Sequence, residues 1–141
     1  MASKADFTAA EWQDLQWAVT DTMTYLSMAD PGFWDTFKEA HAAAKYIAGV
    51  HMASGNVLVR ELAGDLGLHR DKSVSADPAD VSGEVVARVK QAVAIVAAKG
   101  PGDVPFFKEF IIGVAKATAA AAKGTGPTEA AAIARLESEL G

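Results

Sequence analysis

The chain has 141 residues, no cysteine and a formal net charge of -5. That length suits a single domain, residues 1–141, with room for a sizeable core, and the lack of cysteine excludes disulfides and thiolate metal sites. The acidic surplus argues against nucleic acid and against attraction to anionic lipid, because both need a basic face.

About a fifth of the residues are Ala, the best intrinsic helix former, and the apolar residues recur at helical spacing along most of the chain. The expected fold is therefore all-α, a single bundle of five to seven helices. Met1 to Phe7 lacks the apolar core of a signal peptide. The most apolar run, Phe106 to Ala122, is broken by Lys108, Glu109 and Lys116 and is no transmembrane span. These features lead us to expect a soluble, cytoplasmic protein with no membrane partner.

Helix one is predicted from Thr8 to Met28. Thr8-Ala-Ala-Glu11 reads as a capping box, with Phe7 and Trp12 placed as a hydrophobic staple. Trp12, Leu15, Val19, Met23 and Leu26 form its apolar stripe. Asp30-Pro31-Gly32 breaks the chain and starts helix two, whose stripe is Phe33, Phe37, Ala40, Ala44 and Ile47, with Trp34 and His41 alongside. Helix two is expected to end between Gly49 and Ala53. Ser54-Gly55-Asn56 then introduces helix three, from Asn56 to about Leu66, with Val57, Leu58, Leu62 and Leu66 facing in; one continuous helix through Ser54 is the alternative.

Residues 68–83 are polar, lack helical periodicity and are expected to form a loop between helices three and four. Asp77-Pro78 or Ser82 can cap helix four, where Val81, Val85, Val89, Val93 and Val96 share a face. Gly100-Pro-Gly-Asp103 makes a tight connection, so helices four and five should be antiparallel neighbours. Helix five carries Phe107, Phe110, Ile111, Val114, Thr118 and Ala121. Helix six, from Thr128 to Leu140, carries Ala132, Ile133, Leu136 and Leu140.

Several short phrases occur in an order that resembles a family of small all-helical bacterial proteins with no assigned activity. They are Phe7-Thr-Ala-Ala-Glu-Trp12, Phe37-Lys-Glu-Ala40, Ala53-Ser-Gly-Asn56, Pro101-Gly-Asp103 with Phe107-Lys-Glu-Phe110, and Glu139-Leu-Gly141. Ala29-Asp30-Pro31-Gly32 is also remotely similar to the Ala-Asp-Gly phrase of tellurite-resistance TerB-like domains. The second hairpin has no matching Asp, so the acidic metal site suggested for that family does not carry over residue by residue.

The candidate chemistry is sparse. His41, His51 and His69 are the three histidines. Glu39 and His41 lie two residues apart on different helix faces, and no Glu-x-x-His pair of the di-iron type occurs. Asp30, Asp35 and Glu39 can supply oxygen ligands to a hard cation, but caps and the helix dipole explain Asp30 and Asp35 equally well. Ser54-Gly55-Asn56 and Gly124 to Thr128 can present backbone N–H groups to an anion, or simply mark helix boundaries. No serine stands in a nucleophile elbow, so no catalytic set and no cofactor are implied.

Trp12 and Trp17 are five residues apart, about 140° around a helix, and cannot both face one core. Trp17, Tyr25, Met28, Trp34 and His41 are the candidate ligand or partner surface. The sequence thus suggests a non-enzymatic interaction or small apolar-ligand-binding module, associating as a homodimer. The alternative is a metal-dependent TerB-like or enzymatic module using the acidic cluster Asp30, Asp35 and Glu39, with His41.

Overall fold

The computed structural model describes residues 2–28, 38–66, 78–120 and 127–140. Among them are six α-helices: α1 (Ala9–Met28), α2 (Lys38–Ala53), α3 (Val57–Asp65), α4 (Pro78–Lys99), α5 (Val104–Ala120) and α6 (Pro127–Leu140). Short 3-10 turns cover Lys4–Asp6 and Pro101–Asp103. No strand occurs among the described residues. The protein is an all-α bundle, as its Ala content and helical periodicity predict.

α1 starts where its capping box places it. The Thr8 N–H donates to Glu11 Oε1 at 2.9 Å, and the Glu11 N–H donates to Thr8 Oγ1 at 3.1 Å. The two bonds satisfy N–H groups that a helix end leaves without intrahelical partners. The Phe7 and Trp12 rings meet at 5.7 Å between centroids, fixing the angle at which the chain enters the helix. The Trp12 indole N–H is not left to water: it donates to Asp65 Oδ2 at 3.0 Å, tying α1 to the end of α3.

The predicted stripe of α1 is buried throughout, with Leu15 and Val19 fully enclosed. α5 buries Phe107, Phe110, Ile111, Val114 and Thr118, and α6 buries Ala132, Ile133, Leu136 and Leu140, both as the spacing predicts. The hydroxyls of Thr22 and Thr118 reach the core without penalty because each donates to the carbonyl four residues back, at 2.8 Å.

Helices two and three are separate, as Ser54-Gly55-Asn56 predicts and against the alternative of one continuous helix: Asn56 adopts an extended backbone, and its side chain accepts the Val59 N–H at 3.0 Å, capping α3. Two other expectations need adjustment. The buried face of α3 is Leu58, Val59, Leu62 and Ala63, whereas Val57 and Leu66 are half-buried. Leu58 and Leu62 face in as predicted, Val59 and Ala63 complete that face, and Leu66 lies just past the helix end. α4 begins at Pro78, so residues 78–83 of the expected loop are helical; a proline suits the first helical position, where its missing N–H would have no partner anyway. The predicted start of helix two at Asp30 and Pro31, residues 68–77 of the polar segment, and Ala121 lie outside the described residues.

Asp103 binds three parts of the chain together. It is buried; its Oδ2 accepts the Ala2 N–H at 2.6 Å and its Oδ1 accepts from Asn56 Nδ2 at 2.9 Å. The same Asn56 caps α3, so the N-terminal segment, the α3 cap and the α4–α5 turn share one hydrogen-bonded unit. Gly100 fits beside it because a Cβ there would crowd Asp103 Oδ2 and Ala2. Asp103 was legible in the sequence only as part of a tight turn.

α1 and α4 pack against each other most extensively. Val85, Val89, Ala92 and Val96 of α4 are fully buried, and Val93 is half-buried. Within this seam the fully buried Asp21 carboxylate meets Arg88, with Nη1 to Oδ2 at 3.3 Å. A charge so enclosed must be paired, and this pair links the two helices.

Candidate functional site

Among the described residues, an apolar space lies between α2 and α5. It is a cleft of about 500 Å³ whose walls include Tyr46, Val50, Phe106 and Phe110, with Val59 of α3 closing one end. The space follows from residue size. Gly49, Ala53 and Ser54 also line it, and a Cβ on Gly49 would meet nothing within 4 Å. Small groups on α2 stand across from aromatic ones on α5, and the gap between them is left unfilled.

Phe106 is half exposed at this cleft although its neighbour Phe107 is fully buried. Successive helical residues point about 100° apart, so two adjacent aromatics cannot both enter one core. Phe110 spans both environments: it is buried in the core and lines the cleft. Its ring stacks on Tyr46 at 6.4 Å between centroids and 20° between planes. Lys45 and Glu109 place one charge of each sign on the lining.

Tyr46 crosses α5 at Gly113. A Cβ on Gly113 would collide with the phenol oxygen, so the missing side chain is what admits the ring. Burial, and next the charge of Glu109, raise the Tyr46 pKa above that of an ordinary tyrosine. Beyond the ring a second cleft of about 450 Å³ runs along α5 toward α6, lined by Tyr46, Ile112, Lys116 and Leu140, among others. The described part of this region offers shape and apolar contact, with hydrogen-bonding groups near its edge. It assembles no nucleophile and base within reach of each other, and no cluster of three or more metal-ligating side chains occurs among the described residues.

Of the residues singled out from the sequence, Trp17 is half-buried and lines a small polar pocket between α1 and α4. Tyr25 is buried within the bundle, and burial raises its pKa. A neighbouring part of the same chain therefore already shields it. Met28, Glu39 and His41 lie in α1 and α2 with side chains outside the described set, and Trp34, Asp30 and Asp35 lie outside the described residues altogether. The other described histidine, His51, has a structural contact: its Nδ1 lies 2.9 Å from the Arg60 carbonyl, and its ring covers Gly64, bringing the ends of α2 and α3 together.

The sequence reading missed Tyr46, Val50 and Phe106. The signal was present as an i, i+4 pair beside the Ile47 stripe and as adjacent Phe residues, one of which had to face outward. Comparison of the chain with protein-family models, curated proteins and solved structures finds no match. No described helix is long and apolar enough to cross a membrane.

Proposed function

We propose that the protein is a non-enzymatic binding module that takes a small, largely apolar molecule in the α2–α5 cleft. The observation that supports this most is the cleft itself: about 500 Å³, walled by Tyr46, Val50, Phe106 and Phe110. A volume in the ~300–1,000 Å³ range and an apolar lining with a few polar groups are the usual properties of a small-molecule site. Lys45 and Glu109 orient polar substituents, while the three aromatic rings supply the contact area.

Kinship with small all-helical bacterial proteins of unassigned activity, and remotely with TerB-like domains, belongs to this proposal, as does a cytoplasmic setting. A homodimer is part of it too. Among the described residues, the large apolar side chains most open to water are Met52 and Phe106. This favours the outer ends of α2 and α5 as the self-association surface over the flank of α1.

Titration of isotope-labelled protein with indole, a small neutral aromatic probe, tests the reading. Amide resonances of Val50, Val59 and Phe106 should shift together and saturate, while those of Val85 and Val89 stay in place. Shifts that are absent, or spread evenly over the bundle, would refute a defined site.

A further inference from the structure

The α2–α5 cleft and the cleft that runs along α5 toward α6 share Tyr46 and Glu109 as walls, so the two spaces adjoin. Phe106 in the first and Gly113 in the second stand seven residues apart on α5, about 10 Å along the helix axis. The two ends differ in chemistry. Val50, Val59 and Phe106 make the first end apolar. The Tyr46 phenol oxygen lies over Gly113, which lines the second cleft and not the first. Lys108 also lines the second cleft and is half-buried. Neither Lys108 nor the Tyr46 hydroxyl has an ionic or hydrogen-bonding partner among the described residues, whereas Lys116 is paired with Glu137 at 3.5 Å.

We infer that the two clefts together bind one medium-chain aliphatic carboxylate, with its tail in the α2–α5 cleft and its carboxylate on Lys108 and the Tyr46 hydroxyl. This assignment rests on the reading of the α2–α5 cleft as a ligand site and specifies the ligand. Charge supports it. Across both clefts Lys45, Lys108 and Lys116 face Glu109 and Glu137. With Lys116 and Glu137 paired, Lys45 and Lys108 stand against Glu109 alone, an excess of one positive charge that suits a single anionic group. Glu109 is exposed, so water and salt screen its repulsion for the ligand. Burial and Glu109 keep the phenol protonated, so its hydroxyl donates to the carboxylate. Tyr46 stands between the two spaces, so the occupant must be slender there, as an alkyl chain is.

Isothermal titration of the full chain with octanoate, 1-octanol and indole tests this assignment. Octanoate should bind saturably, more tightly than 1-octanol, and should displace indole. Lys108→Met should keep the parent circular dichroism and indole affinity while weakening octanoate by about tenfold or more, the scale of a lost hydrogen bond between charged groups. Tyr46→Phe keeps the ring and should weaken octanoate by about threefold or more, again with indole unchanged. Lys45→Met removes the same charge as Lys108→Met and should leave octanoate binding unchanged. Indole binding without octanoate binding overturns this assignment and leaves the α2–α5 site standing; binding of neither overturns both. Octanoate binding no tighter than 1-octanol, or alongside indole, overturns the assignment. So does parent-like octanoate affinity in Lys108→Met or Tyr46→Phe, a matching loss of indole affinity in them, or an equal loss of octanoate affinity in Lys45→Met.

Discussion

The α1–α4 seam and the α2–α5 seam are built from the same kind of element and come out differently. On the first, four fully buried residues of α4 (Val85, Val89, Ala92 and Val96) and the enclosed Leu15, Val19 and Asp21 of α1 leave only a small polar pocket. On the second, Gly49, Ala53 and Ser54 stand where branched side chains would fill the space, and a cleft about twice as large remains. Side-chain volume along one face of each helix decides whether a seam closes. Where it stays open, apolar groups such as Phe106 are held at the surface by the rigid helices beneath them.

The sharpest way to break this contrast is to truncate neighbouring aromatics that belong to different sides of it. Phe107→Ala removes a fully buried ring and should lower unfolding free energy by about 3–5 kcal/mol, through lost transfer energy and the cavity left behind. Phe106→Ala removes a half-exposed ring and should change stability by no more than about 0.5 kcal/mol, while weakening indole binding. Chemical denaturation of the two variants checks both. Equal losses would mean that the cleft wall carries the fold as much as the core does.

The closed seam depends next on its ion pair. Arg88→Ala takes the guanidinium from the fully buried Asp21, and an expected cost of about 2–3 kcal/mol is below that of a fully enclosed pair because Arg88 is a third exposed. Restoring charge with Arg88→Lys should recover part of the loss. A parent-like midpoint for Arg88→Ala would remove the pair from the account of that seam.

Smaller effects come from the ends of the bundle. Thr8→Ala should cost about 1 kcal/mol by deleting the α1 cap. The Thr8 N–H, followed by Lys99, holds the Glu11 pKa below its usual value, and the Lys4 hydrogen bond, followed by the Trp12 N–H, does the same for Asp65. A depressed carboxyl pKa adds stability above the unfolded-state value and loses it as pH falls through the folded one. Melting temperature should therefore decline as pH drops below about 4, and less steeply in Glu11→Gln, which removes one of the two carboxyl groups. Both tyrosines of the chain, Tyr25 and Tyr46, are raised by burial. Their absorbance titration should accordingly fall above the ~10 of free tyrosine, with Gly113→Ala shifting the Tyr46 component alone.

Much of the fold was legible because its signals are local. The Thr8–Glu11 box, the Asn56 boundary and the periodic stripes of α1, α5 and α6 need only neighbours in sequence to act. The cleft was not legible for the opposite reason. It arises from what Gly49 and Ala53 fail to fill once α5 lies across them, and from Gly113 yielding to Tyr46, which is a relation between residues far apart in the chain. Asp103 illustrates the same limit: its partners Ala2 and Asn56 are distant in sequence, so spacing alone shows only a turn. The aromatic concentration in the first third drew attention to α1, yet Trp12 and Tyr25 are spent on the core.

The central claim is that the open α2–α5 seam is where the molecule binds, and occupying it from within is the most direct test. Val50 is half-buried in the cleft wall, so Val50→Trp puts an indole of the protein's own where the ligand would sit. Isothermal titration of that variant with free indole should show affinity reduced by about tenfold or more, at an unfolding midpoint close to the parent's, since the added ring enters existing space. Parent-like affinity for indole in a folded Val50→Trp protein would contradict the account.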